Sequence, residues 1–256
     1  MWLGENSGGG RVVRLIAILA VMTAGILLPS AAPAQNYDEA TVKAHLVALY
    51  QHNGPRLFKW KRPIRYIVTG LESETTKQLV EGQFAYIRDL TGLDIQKADP
   101  AKKNGNFLLL FASPLASIAH LENVRAVFGR GGQSDTDYFT MLKELDRDGL
   151  SRSVTKKTSD AIVFHAALIN PTSWDEKLIV KRVLKYVVGG LTEAGSSDVI
   201  RPSIFNADVG ADPISRLPTI DEFFLRNFYR QSITSGQPLE RGLDRLAAAI
   251  SFDLLD

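Results

Sequence analysis

The chain has 256 residues, and its 30 Lys and Arg against 28 Asp and Glu leave a formal net charge of +2, too small an excess to argue for a nucleic-acid partner. The absence of cysteine removes disulfides, thiolate catalysis and cysteine–zinc sites together. With 45% hydrophobic residues, the chain can bury one substantial core, or two subdomains around a cleft.

Arg11 and Arg14 precede an apolar run over residues 15–28, and Ala32-Pro33-Ala34 then offers a small-x-small cleavage site. This predicts a secretory signal over residues 1–34, with a periplasmic or secreted chain starting at Gln35. The run is about fourteen residues, short of the roughly twenty that cross a bilayer, so no membrane span is expected after cleavage. A retained N-terminal anchor is the alternative, and the lack of a Cys after the run excludes a lipid-anchored form. Residues 35–256 are expected to form a single α+β domain, with a possible subdivision near residue 190.

Residues 37–51 read as a helix, with Val42, Leu46 and Leu49 at helical spacing. Residues 59–68 read as a strand in which Pro63 marks an edge or a start. A helix over 74–91 has Ser73 as N-cap and Gly92 as its stop. Short strands are expected at 93–96 and 107–112, then helices at 120–128 and 138–145, joined by a flexible connector at Gly129-Arg130-Gly131-Gly132. Residues 149–159 are polar and basic and predict an exposed loop, whereas 161–169 form a nearly continuous apolar strand. The long helix that follows runs to Gly189-Gly190. An irregular Gly- and Ser-rich stretch (195–218) and helices at 219–232 and 239–250 complete the chain. The sum is a mixed sheet with helices packed in front and a helical C-terminal part.

Ser173 and Glu176 make a capping box at the start of the long helix. Ile179, Val183, Val187 and Leu191 line its apolar side, and Lys177, Lys181 and Lys185 form a basic ridge. That ridge reads as a solvated face or as a docking surface for an acidic partner.

Asp198, Ser203, Asn206, Asp208, Asp212 and Asp221 gather around the irregular stretch. Carboxylates and an amide there could hold a peptide or calcium, or could cap helices and fix turns, Asp221 lying near the start of its own helix. Ser203 has no nearby His, so a serine hydrolase would need His165 or His120 brought over by the fold. His45 and His52 are poorly spaced to share a metal, and His165 on an apolar strand reads as a core residue. Asp146-Arg147-Asp148-Gly149 lacks the Gly and Glu that a calcium loop needs at its sixth and twelfth positions, where Ser151 and Lys157 stand.

Several blocks together resemble an uncharacterised family of exported bacterial proteins with a zincin-like, metallopeptidase-like layout. They are Trp60-x-x-Pro63, Asn106 before Phe107-Leu108-Leu109, Gly189-Gly190-Leu191, Ser203-Ile204-Phe205-Asn206 with Asp208, and Leu217-x-x-x-Asp221 leading into Leu225-Arg226-x-Phe228-Tyr229 and Gly236. The resemblance covers residues 60–236 and implies a zincin-like fold and an exported location, not a reaction. A zinc peptidase helix needs two His four residues apart and a Glu beside the first. In one alignment to the helix end those positions are Val183, Leu184 and Val187; in the other they are Arg182, Val183 and Tyr186. Neither supplies a ligand or a base, so no metal, cofactor or catalytic residue is assigned.

Two functions follow as expectations. The first is a non-catalytic exported protein that holds a peptide or protein partner of the cell envelope between the 161–169 strand and the long helix, by edge pairing. The second is a non-metal hydrolase using carboxylates of the 198–221 region.

Overall fold

The computed structural model describes residues 37–102, 104–118, 120, 122–129, 134–144, 150–171, 176–206 and 214–255. The expected signal, the Arg130-Gly131-Gly132 connector, the Asp146–Gly149 turn, Ser173, Asp208 and Asp212 lie outside them. No described helix is long and apolar enough to cross a membrane.

Helix α1 (Glu39–Tyr50) starts where the Asp38 carboxylate accepts the Thr41 N–H at 2.7 Å. Strands β1 (Lys59–Trp60) and β2 (Ile64–Thr69) follow, broken at Pro63, which cannot donate to a ladder. Helix α2 (Glu74–Thr91) has the expected Ser73 cap and ends at Gly92, whose φ of 70° suits glycine. Next come β3 (Ile95–Lys97), β4 (Phe107–Phe111), α3 (Glu122–Phe128) and α4 (Asp135–Glu144). Strands β5 (Leu150–Lys156) and β6 (Ala161–Ile169) lead to α5 (Glu176–Thr192), α6 (Thr219–Tyr229) and α7 (Leu239–Leu255).

The architecture is a mixed sheet flanked by helices. Strands β3, β2, β4 and β6 lie side by side and parallel, and β1 runs parallel beside the first residues of β6. β5 alone is antiparallel, and it takes the other side of β6. Residues 165–168 of β6 pair with both β4 and β5, while Ala161 and Ile162 pair with both β1 and β5. β6 is therefore central.

β4 is apolar on both faces, as a buried parallel strand must be. Phe107, Leu109 and Phe111 join one core with α1, α2, α5, α6 and α7, whereas Leu108 and Leu110 pack on the other face against α3 and α4. Helices thus cover both faces, not only the front. On the larger face a run of rings passes under the sheet: Tyr66 stacks on Phe84 at 4.1 Å, Phe84 meets Phe107 edge-on at 5.5 Å, and Phe107 meets His165 at 4.7 Å.

Two expectations are corrected here. The polar segment 149–159 is not a loop over most of its length, because β5 occupies Leu150–Lys156. Gly189-Gly190 does not end the long helix either: α5 runs on to Thr192.

Candidate functional site

The predicted binding residues separate into three groups. Asp198 is exposed and pairs with Arg201 at 3.0 Å. Asp208 lies outside the described residues, as does Asp212. Ser203, Asn206 and Asp221 do come together, but as a buried knot. The Ser203 hydroxyl and the Ile204 N–H donate to the two oxygens of Asp221, at 2.8 and 2.7 Å. The Phe205 N–H donates to Ser203 Oγ, and Asn206 accepts the Ser203 N–H while its amide donates to the carbonyls of Ser197 and Ile200. The side-chain hydrogen bonds of Ser203, Asn206 and Asp221 run to turn groups or to one another, and they fix segment 197–206 against α6.

Asp221 does not cap its own helix. Pro218 holds that position, and the Asp221 side chain reaches back to the preceding segment. Burial pushes its carboxyl up to about 7, against the hydrogen bonds from Ile204 and Ser203 and the charge of Lys181, which pull it down. Of the two carboxylates described in this stretch, one is on the surface and the other has no access to solvent, so they do not form the facing pair a hydrolase requires. Ser203 likewise lacks a histidine: the ring of His45 meets Ser197 Oγ, and that of His165 meets Ser153 Oγ, each at 2.9 Å.

Two lysines of the α5 ridge have identified roles. Lys185 donates to the Asn206 carbonyl at 3.3 Å, and Lys181 acts on Asp221. Lys185 thus helps to hold the 203–206 segment, and Lys181 favours the charged form of Asp221. On the same helix Val183, Leu184 and Val187 are fully buried, so in that register the positions of a zinc helix lie inside the packed apolar core. Arg182 and Tyr186, from the other register, are half-buried. No group of three or more His, Asp or Glu that could hold a metal ion occurs among the described residues.

The C-terminal end of α5 is held instead by distant side chains. A helix leaves its last carbonyls without intrahelical partners. Here Trp60 Nε1 donates to the Gly190 carbonyl, Tyr229 to that of Leu191, Tyr50 to that of Thr192 and Asn53 to that of Glu193, at 2.7 to 3.0 Å. Lys59 lies over the Tyr229 ring at 5.3 Å and donates to the carbonyls of Arg230 and Ile233; burial lowers its ammonium to about 8. Glu193 follows the helix with φ 60°, where an L side chain is strained, and burial raises its carboxyl to about 7. Glu193→Gly relieves both costs, and its expected effect is a gain of about 1 kcal/mol in urea unfolding.

His165 sits under the sheet beside this helix end. Burial lowers its ring to about 3, so it stays neutral. Its Nε2 finds no hydrogen-bond partner among the described residues, and the ring lies against Gly190, where an added Cβ would come within 2.5–2.7 Å of it. The ring is 1% exposed, enclosed by Gly190, Ser153 and Phe107.

Among the described residues, the side of β5 away from β6 has no strand partner. The His165 N–H donates to the Asn106 carbonyl at 3.0 Å, so the backbone of His165 points at β4 and not at β5. In an antiparallel ladder that makes Ser153, opposite His165, a member of a non-hydrogen-bonded pair. The short Ser153–His165 side-chain contact agrees with that spacing. By alternation, the N–H and C=O groups of Ser151 and Ser153 point outward, away from β6. No other described strand pairs with β5, and its residue Val154 is 43% exposed. Sequence reasoning missed this strand. The signal was present in Leu150, Arg152 and Val154 alternating with Ser151, Ser153 and Thr155, but polarity hid it.

No protein-family model matches the chain, and comparisons with curated proteins and with solved structures likewise found no match.

Proposed function

We propose that the chain is an exported, non-catalytic binding protein on a zincin-like scaffold, and that it holds an extended peptide or partner strand along the outer edge of β5. The observation that carries this reading is the pair of outward-facing backbone positions at Ser151 and Ser153 on an exposed edge strand. Main-chain donors and acceptors of that kind accept an added strand, with alternate side chains free to select it. The binding edge is not on β6, as the sequence suggests, because β6 is paired on both sides. The apolar positions Val183, Leu184 and Val187 support the non-catalytic part, and the apolar run with Ala32-Pro33-Ala34 supports export.

The test is capture of synthetic octapeptides by the full chain and by Ser151→Pro. Proline there removes an outward N–H and leaves the β5–β6 ladder intact. The expected result is that peptides captured by the native chain are lost by the variant. Equal capture by both, with unchanged circular dichroism, would refute edge pairing.

A further inference from the structure

We infer that the segment received by β5 is acidic; this rests on the edge reading above and adds the chemistry of the occupant. The two edges of the sheet differ in how their charges are satisfied. At the β3 edge, cations meet carboxylates: Arg65 pairs with Asp94 at 3.1 Å and Lys97 with Glu81 at 2.8 Å. Beside β5 and β6, the three described cations Arg152, Lys61 and Arg62 meet carbonyls. Arg152 donates to the carbonyl of Val127, Lys61 to that of Ser159, and Arg62 to that of Val163, the residue left over where the β5–β6 register shifts. No carboxylate ion pair with Arg152, Lys61 or Arg62 occurs among the described residues, and all three are exposed. Hydrogen bonds to carbonyls orient these groups without cancelling their charge.

The local sequence adds to this. Residues 150–159 contain Arg152, Lys156 and Lys157 and no acidic residue. Asp160, next in the chain, pairs with Arg56 at 3.5 Å. Arg152 on β5 and Lys61, which reaches the Ser159 carbonyl just past the end of that strand, thus bring positive charge to this side of the sheet, while Arg62 follows β1 on the opposite flank of β6.

Edge cations and a register shift are also how sheets discourage self-association. That argument selects among occupants here. A second copy of β5 would bring the same cations and be repelled, whereas a strand carrying Asp or Glu on alternate positions would be attracted. The outward N–H and C=O groups of Ser151 and Ser153 favour a strand over a lipid surface, which offers no backbone ladder.

The test uses the full chain and three dye-labelled, end-capped octapeptides: alternating Glu-Val, alternating Lys-Val, and Glu-Val with alternate amides N-methylated. Anisotropy titrations are expected to give Glu-Val at least about a tenfold advantage over Lys-Val at low salt, shrinking as salt screens the edge. N-methylation and Ser151→Pro should each abolish Glu-Val binding, and Lys61→Glu with Arg152→Glu should remove the preference. Equal binding of Glu-Val and Lys-Val, both lost in Ser151→Pro, would overturn the acidic inference and leave the edge reading intact. Glu-Val binding that survives N-methylation and Ser151→Pro would overturn both, as would no binding of either peptide. Salt titration of the native chain decides the charge question even where the double variant fails to fold.

Discussion

Gly190→Ala is expected to destabilise the protein by about 3 kcal/mol or more, although alanine is the better helix former by about 1 kcal/mol. The new methyl would stand 2.5–2.7 Å from the His165 ring. That ring cannot retreat, since Ser153 holds it at 2.9 Å and Phe107 packs on it at 4.7 Å. Backbone movement is restrained as well, because Trp60 is bonded to the Gly190 carbonyl. His165→Ala in the same chain makes room for the methyl and should recover about 2 kcal/mol, a non-additivity characteristic of residues in contact. Chemical denaturation of the two single variants and the double variant measures it. An unperturbed Gly190→Ala, or a double variant no better than the sum of its parts, would contradict the packing.

Asp221 should produce the second large effect. Asp221→Ala leaves the buried Ile204 N–H and Ser203 hydroxyl without an acceptor and opens a void, for an expected loss of about 3 kcal/mol. Asp221→Asn keeps an acceptor for Ile204 and can donate to Ser203, so it should cost far less, and Asp198→Ala on the surface should cost almost nothing. The pH dependence has a definite sign. Burial raises the folded carboxyl to about 7 from about 4 in the unfolded chain. The folded state thus holds a proton that the unfolded state has released, and stability falls as pH rises between those values. The difference in unfolding free energy between native protein and Asp221→Asn isolates this group from the buried histidines. It should shift against the native protein from pH 4 to pH 7. A difference that does not vary with pH would show that Asp221 is not carried as a buried acid.

The helices were legible in the sequence where caps and spacing agreed. Asp38, Ser73 and Gly92 mark ends that local hydrogen bonding enforces, and the apolar face of α5 lies where its period puts it. What the sequence could not reveal were partners from far along the chain. Gly190 looks like a helix stop, yet it is small because His165 lies against it, 25 residues away in sequence. Lys185 looks like part of a solvated stripe until its bond to the distant Asn206 carbonyl is seen. Asp221 reads as a cap from its place near a helix start, and only the fold reveals that it pins another segment. β5 was hidden for a different reason: an edge strand needs few apolar residues.

The tethers on the end of α5 also bear on how the chain reaches its fold. Trp60, Tyr50 and Asn53 are separated from their carbonyl partners by 130, 142 and 140 residues. Tyr229 completes the set from the other direction. Loop closure over such spans opposes early formation and makes assembly slow relative to a locally connected bundle. A nascent chain that has not yet released residue 229 cannot finish this helix end, however much of α1, β1 and α5 has already emerged. The molecule is thus built to become native late, after most of its length is free to find itself.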